Sequence, residues 1–193
     1  MIIGITGCTG SGKTTALQVI RDLGGTIVAC DKVYHGLLLT DTALLSAIEN
    51  RFPGTTENGV LNRKKLGTIV FADETALKDL NRITHSTIKK AVTAQISQHN
   101  LVAIDAIELF DGGLAKLCDV TVAITAPESA RIARLTKRDS ITAERALMRI
   151  RAQKEEAYFR KKCDYILENN QTQADFRQIC LTFFQDLLST QKP

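Results

Sequence analysis

Near its start the chain reads Gly7-Cys8-Thr9-Gly10-Ser11-Gly12-Lys13-Thr14, the pattern GxxxxGK[ST] in full, and no other stretch limits the fold so strongly. A loop of this kind wraps its backbone N–H groups around phosphate oxygens. Glycines allow that close approach, and the helix behind the loop adds the positive end of its dipole. The surroundings fit: Ile2 to Thr6 is an apolar run that reads as a buried strand, and Thr14 to Leu23 reads as a helix stopped by Gly24-Gly25. A glycine-rich turn beside a surface lysine would need neither flank. The loop therefore predicts a nucleoside triphosphate, with Lys13 reaching the β and γ phosphates and the Thr14 hydroxyl offered to magnesium.

The same loop serves GTPases, motor ATPases and small-molecule kinases. A GTPase would also carry DxxG and NKxD; neither occurs, and Asp105-Ala106-Ile107-Glu108 fails at the glycine. Asp105 closes the strand-like run Leu101 to Ile104, a place for a magnesium-side acid and equally for a capping residue. Asp31 follows Thr26-Ile27-Val28-Ala29-Cys30, where a second strand ends. In an open parallel sheet that edge faces the ligand crevice. A carboxylate there can take the proton of an attacking hydroxyl, as phosphoryl transfer to an alcohol requires. The competing role is a helix cap.

Short β-like runs alternate with longer helical ones along all 193 residues, which predicts one α/β domain: a parallel sheet of about five strands with helices on both faces. Further strands are expected at Val120 to Ile124 and Tyr165 to Leu167, and a last helix at about Gln173 to Leu188. Two excursions interrupt the core. Residues 40–98 are too long for a simple crossover and read as a helical insertion, leaving 1–39 and 99–193 as the core. Residues 138–158 are short and basic.

Between Arg131 and Lys162 there are eleven Lys or Arg and four Asp or Glu, a local +7 within a net charge of +4. Such a segment suits nucleic acid or nucleotide phosphates, but it holds no aromatic residue before Tyr158, so base stacking has little support. Thr142 reads as an N-cap, and two helices around a basic hinge at Lys137-Arg138-Asp139 describe a lid that brings Arg138 to the transferring phosphate. Arg145 and Arg151, taken singly, read as solvated surface. His85 sits in a long helical stretch, where a lone histidine more often packs or hydrogen-bonds than catalyses. The apolar runs are too short to span a membrane, and no basic-then-apolar leader pattern opens the chain. Five scattered cysteines, without a CxxC, fit reduced thiols better than a disulfide framework or a zinc site. A cytoplasmic enzyme, monomeric or weakly homo-oligomeric, is the expectation.

Taken in order, the opening loop, the Asp31 region, NGVLNRKKL with Arg63, VFAD, LNRITH, IELFDGG, RLTKRD, RIRAQ and CDYILENN resemble the dephospho-CoA kinase family over nearly the whole chain. The resemblance implies a P-loop kinase core, a helical substrate-binding insertion and a lid. It also implies transfer of the γ-phosphate of ATP, with Mg2+, to the ribose 3′-hydroxyl of dephospho-CoA. By position it assigns ATP phosphates to Gly10, Ser11, Gly12, Lys13, Thr14 and Thr15, the role of base to Asp31, and the lid arginine to Arg138. Arg63, His85 and Gln153 fall on motif positions, the first two on the substrate side. Three departures stand out: Ala29 replaces the first Asp of the family's DAD, His85-Ser86 replaces HP, and Ile107-Glu108-Leu109-Phe110-Asp111 replaces PLLxE. The alternatives are a nucleoside or nucleoside monophosphate kinase of the same fold, a non-catalytic ATP-binding regulator, and a nucleic-acid binder using the basic segment.

Overall fold

The computed structural model describes residues 1–190. Its centre is β1 (Ile2–Gly7), whose unbroken apolar run is what a strand buried on both faces requires. On one side β1 pairs with β5 (Val102–Asp105), and β5 pairs with β2 (Thr26–Ala29). On the other side come β6 (Val120–Thr125) and then β7 (Tyr165–Glu168). All four pairings are parallel, so the sheet of about five strands is found as five, in the order β2-β5-β1-β6-β7.

One face is covered by α1 (Lys13–Asp22) and α9 (Gln173–Ser189). Val19 and Ile20 of α1 and Phe176, Cys180 and Phe184 of α9 are buried in one cluster with Ile3, Ile5 and Val122. The other face is closed by the end of α5 (Glu74–Ile96), where Val92 and Ile96 pack with Ile104, Leu109 and Leu114. Strand and helix limits predicted from periodicity match these elements to within about two residues at each end.

The stretch between β2 and β5 is helical: α3 (Thr42–Arg51), α4 (Arg63–Val70) and α5 lie within the expected insertion, whereas α2 (Cys30–Thr40) lies before it and has no counterpart in the sequence reading. It builds a core of its own from Leu38, Leu44, Ile48, Phe52, Leu66 and Val70, with Tyr34 and Leu80 packed against it. Each of three helix starts is capped by a side chain that accepts backbone N–H: Asp41 from Leu44, Asn62 from Lys65, and Asp73 from Thr75 and Ala76. A small hairpin, β3 (Thr56–Glu57) and β4 (Val60–Leu61), was not anticipated. Its turn is Asn58-Gly59, both left-handed, with φ of 51° and 76°, the residue pair that a two-residue hairpin favours.

The basic excursion is formed by α6 (Glu128–Asp139), α7 (Ala143–Arg151) and α8 (Glu156–Lys162). Here the expected hinge is corrected. Lys137, Arg138 and Asp139 form the last turn of α6, and the chain changes direction at 140–142, where Ser140 is left-handed with a φ of 52°. Cations in a final helical turn face the negative end of the dipole, so these residues extend the helix rather than break it. Thr142 is the N-cap that was expected, accepting from the Arg145 N–H. No helix among the described residues is long and apolar enough to cross a membrane.

Candidate active site

The register of the sheet aligns the ends of its strands. Ala29 and Ile5 both lie opposite Asp105, and Gly7 lies opposite Ile124, so the phosphate loop, Asp105 and Asp31 open onto one carboxyl edge. Gly7 has a φ of 126°, and a Cβ there would collide with the Ile124 carbonyl. Gly12, with a φ of 105°, would put a Cβ against the Asn169 amide. Both positions need glycine for conformation and for space.

The loop is held from behind. Arg131 donates through Nε to the Thr9 carbonyl at 2.9 Å, Arg134 to the Gly10 and Ser11 carbonyls at 3.2 and 3.1 Å, and Asn169 through Nδ2 to the Ser11 carbonyl at 2.7 Å. Arg134 also donates to Asn169 Oδ1 at 3.0 Å, closing the network. With its carbonyls drawn backward, the loop leaves N–H groups for the cavity in front. In sequence these residues stood out only as members of the basic segment and of a motif. What gives them away is burial: Arg131 is 8% and Asn169 4% exposed, and buried polar groups of this size need partners.

That cavity, of about 830 Å³, is lined by the loop, Asp31, Arg134, Lys137 and Arg138, among others. Ser11 Oγ is buried there with no hydrogen-bond partner among the described residues. Burial pulls the Lys13 ammonium below the ordinary lysine range, while Asp105 and then Asp31 oppose the shift. Asp105 responds in mirror image: burial raises its carboxyl, and Lys13 opposes. Arg138 is partly turned aside, donating to Asp139 at 2.7 and 3.0 Å, and Asp139 also accepts from Arg149 at 2.6 Å. This cluster joins α6 to α7. Gln153 is tied to the loop, its Oε1 accepting from the Thr9 N–H at 2.7 Å.

A second cavity, of about 330 Å³, lies between α2, α5 and the segment after β5. Asp31 and Ile107 line both cavities. Asp31 is not the helix cap of the competing reading: the N-cap of α2 is Ala29, and Asp31 stands in its first turn with an exposed side chain. His85 lies in the second cavity, its Nε2 3.1 Å from Glu108 Oε2. Arg63 does not line it. It begins α4, exposed, and its charge is felt by Tyr34, whose hydroxyl burial pushes above the ordinary phenol range against Arg63.

Several charges of the basic segment are already paired: Arg131 and Arg134 with loop carbonyls, and, at the surface, Arg149 with Asp139 and Lys154 with Asp111 at 3.3 Å. The five cysteines are free thiols.

A phosphate loop after the central strand of a parallel sheet, cationic helices beside it and an acid just beyond the next strand define a P-loop kinase. The dephospho-CoA kinase model, CoaE, matches residues 1–175, and the chain belongs to that family. It is therefore a transferase of coenzyme A biosynthesis. A dephospho-CoA kinase of Lactobacillus acidophilus is 34% identical over 179 residues, 89% of both chains. One from Dehalococcoides mccartyi is 33% identical over 88% of both. The solved dephospho-CoA kinase of Campylobacter jejuni superposes with a TM-score of 0.72 at 25% identity, covering 99% of this chain and 98% of that one. A shikimate kinase of Acinetobacter baumannii, at 18% identity and a TM-score of 0.58, shares the fold over 100% of this chain and 95% of its own.

Proposed function

We propose that the chain moves the γ-phosphate of ATP to the ribose 3′-hydroxyl of dephospho-CoA, giving coenzyme A and ADP. The observation that carries this reading is the position of Asp31 on both cavities, one built for phosphates and one mostly apolar. An acceptor in the second cavity and a nucleotide in the first would meet at that carboxylate.

The loop amides of Gly10 to Thr15 bind the phosphates, and Lys13 spans the β and γ oxygens. Asp31 accepts the proton of the attacking hydroxyl. Arg138, released from Asp139, turns its guanidinium to the charge that moves during transfer, and closure of α6 and α7 excludes water. On the acceptor side, His85 contacts the substrate within the cavity, and Arg63 meets it beyond the Tyr34 side.

Magnesium fits the donors present. Thr14, exposed, is the second residue of α1, and Asp105 and Asp31, whose charges act on the adjacent Lys13, are oxygen donors, which suit this ion. An ion of this kind is commonly held by one or two side chains together with substrate phosphates. When bound, it neutralises phosphate charge.

The test is an acceptor panel. ATP and magnesium with dephospho-CoA should yield coenzyme A and ADP, and EDTA should stop turnover. Faster phosphorylation of a nucleoside or nucleoside monophosphate would reassign the acceptor.

A further inference from the structure

The second cavity has a polar group at the end away from Asp31, and it has no assigned use. Along α5, residues 81, 84, 85 and 88 share one face at helical spacing, and all four line the cavity. Ile88 packs in the cluster that contains Cys30 and Val33, beside the sheet. Leu80 packs with Tyr34 in the core of the insertion. The cavity therefore runs outward along α5 from Ile88 to Asn81, a rise of about 10 Å. That is close to the span of a nucleoside from its ribose hydroxyl to the outer edge of its base.

The polar side chains on this face differ in what they already hold. Thr84 Oγ1 donates to the Leu80 carbonyl at 2.9 Å, and His85 faces Glu108 at 3.1 Å. The side-chain amide of Asn81, half-buried, makes no hydrogen bond among the described residues. On the insertion side of the cavity the lining includes Tyr34 and Leu80, and Ile88 and Leu114 line its sheet side. Such a cavity accepts a flat ring, and an open amide in its wall supplies an acceptor beside a donor.

We infer that Asn81 reads the base of the acceptor nucleotide and selects adenine. This rests on the reading proposed above, with the ribose at Asp31. Adenine offers a donor and an acceptor side by side, N6–H and N7, and the Asn amide matches that pair bidentately. A 6-oxo purine presents two acceptors on the same edge, so the amide oxygen would face an oxygen. Asn81 is a specificity residue; it touches the base and takes no part in proton or phosphoryl transfer.

The experiment compares dephospho-CoA with its 6-oxo analogue, made by deaminating the adenine. For the wild-type chain kcat/KM should favour dephospho-CoA by about 10–100-fold, the discrimination a good bidentate pair gives. Asn81→Ala should lose a similar factor on dephospho-CoA and change little on the analogue, so that the preference collapses. Thermal melting is followed for each variant. Should the Ala variant melt early, Asn81→Gln, which keeps the amide but moves it by one methylene, carries the same comparison. Equal losses on both acceptors would make Asn81 a packing residue and overturn the inference. Wild-type indifference to the base would overturn it too, while transfer to dephospho-CoA leaves the underlying reading intact. If the wild-type chain fails to phosphorylate dephospho-CoA at all, both fall.

Discussion

Lys13→Ala should lower turnover by about 10³-fold, or about 4 kcal/mol in the barrier, and leave the protein folded. Phosphoryl transfer asks little covalent chemistry of the protein, so positioning and charge neutralisation supply most of the rate. Lys13 is the loop's own cation in the phosphate cavity, which Lys137 and Arg138 also line, whereas Arg131 and Arg134 are engaged with loop carbonyls. Its ammonium is already costly to hold, since burial lowers its pKa against the pull of Asp105 and Asp31. Removing it relieves that cost, and Asp105, whose carboxyl burial already raises, would rise further instead of standing as an unpaired charge. Stability is therefore expected to change little. Single-turnover rates at saturating ATP, measured beside thermal melting, check both halves. Near-native turnover would refute the loop assignment, and early melting would refute the electrostatic argument.

Much of this site was legible because its chemistry is local. The loop is one contiguous stretch whose glycines, lysine and threonine sit at fixed spacing, and the alternation of apolar runs around it requires a parallel sheet. Asp31 could be placed near the crevice because strand ends in such a sheet share an edge, and it follows the strand whose last residue, Ala29, lies opposite Asp105. Other features depend on contacts across long sequence distances. Asn169 meets Ser11 across 158 residues, and Gln153 meets Thr9 across 144, pairings that no periodicity encodes. The break between α6 and α7 lies beyond the expected position for a different reason. Charge density at Lys137 to Asp139 resembled a break, whereas Asp139 accepts from both Arg138 and Arg149 and so stitches the end of one helix to the next. The hairpin at Asn58-Gly59 did have a signal, the dipeptide itself, but two-residue strands are too short to show alternation.

Asp31→Asn should leave ATP affinity within a few-fold of wild type and reduce transfer by about 10²–10⁴-fold, the usual loss when a general base is removed. A ribose hydroxyl is a poor nucleophile at neutral pH, and Asn keeps the size and reach of Asp without its basicity. The alternative role is now more specific than a cap. As a first-turn residue of α2, Asp31 could act only through the helix dipole, an effect of about 0.3–1 kcal/mol on stability and none on the chemical step. Thermal melting and steady-state turnover separate the two roles. A fully active variant with slightly reduced stability would return Asp31 to a structural part.

The destination of the phosphate tests the central claim most directly. ATP radiolabelled in its γ-phosphate, incubated with magnesium and dephospho-CoA, gives a product whose label is located by release with a 3′-specific phosphatase, while phosphorus NMR of the unlabelled product gives the position of attachment. The account predicts label on the ribose 3′-oxygen, with one ADP formed for each coenzyme A. Label in inorganic phosphate alone, or on any other oxygen of the acceptor, would contradict it.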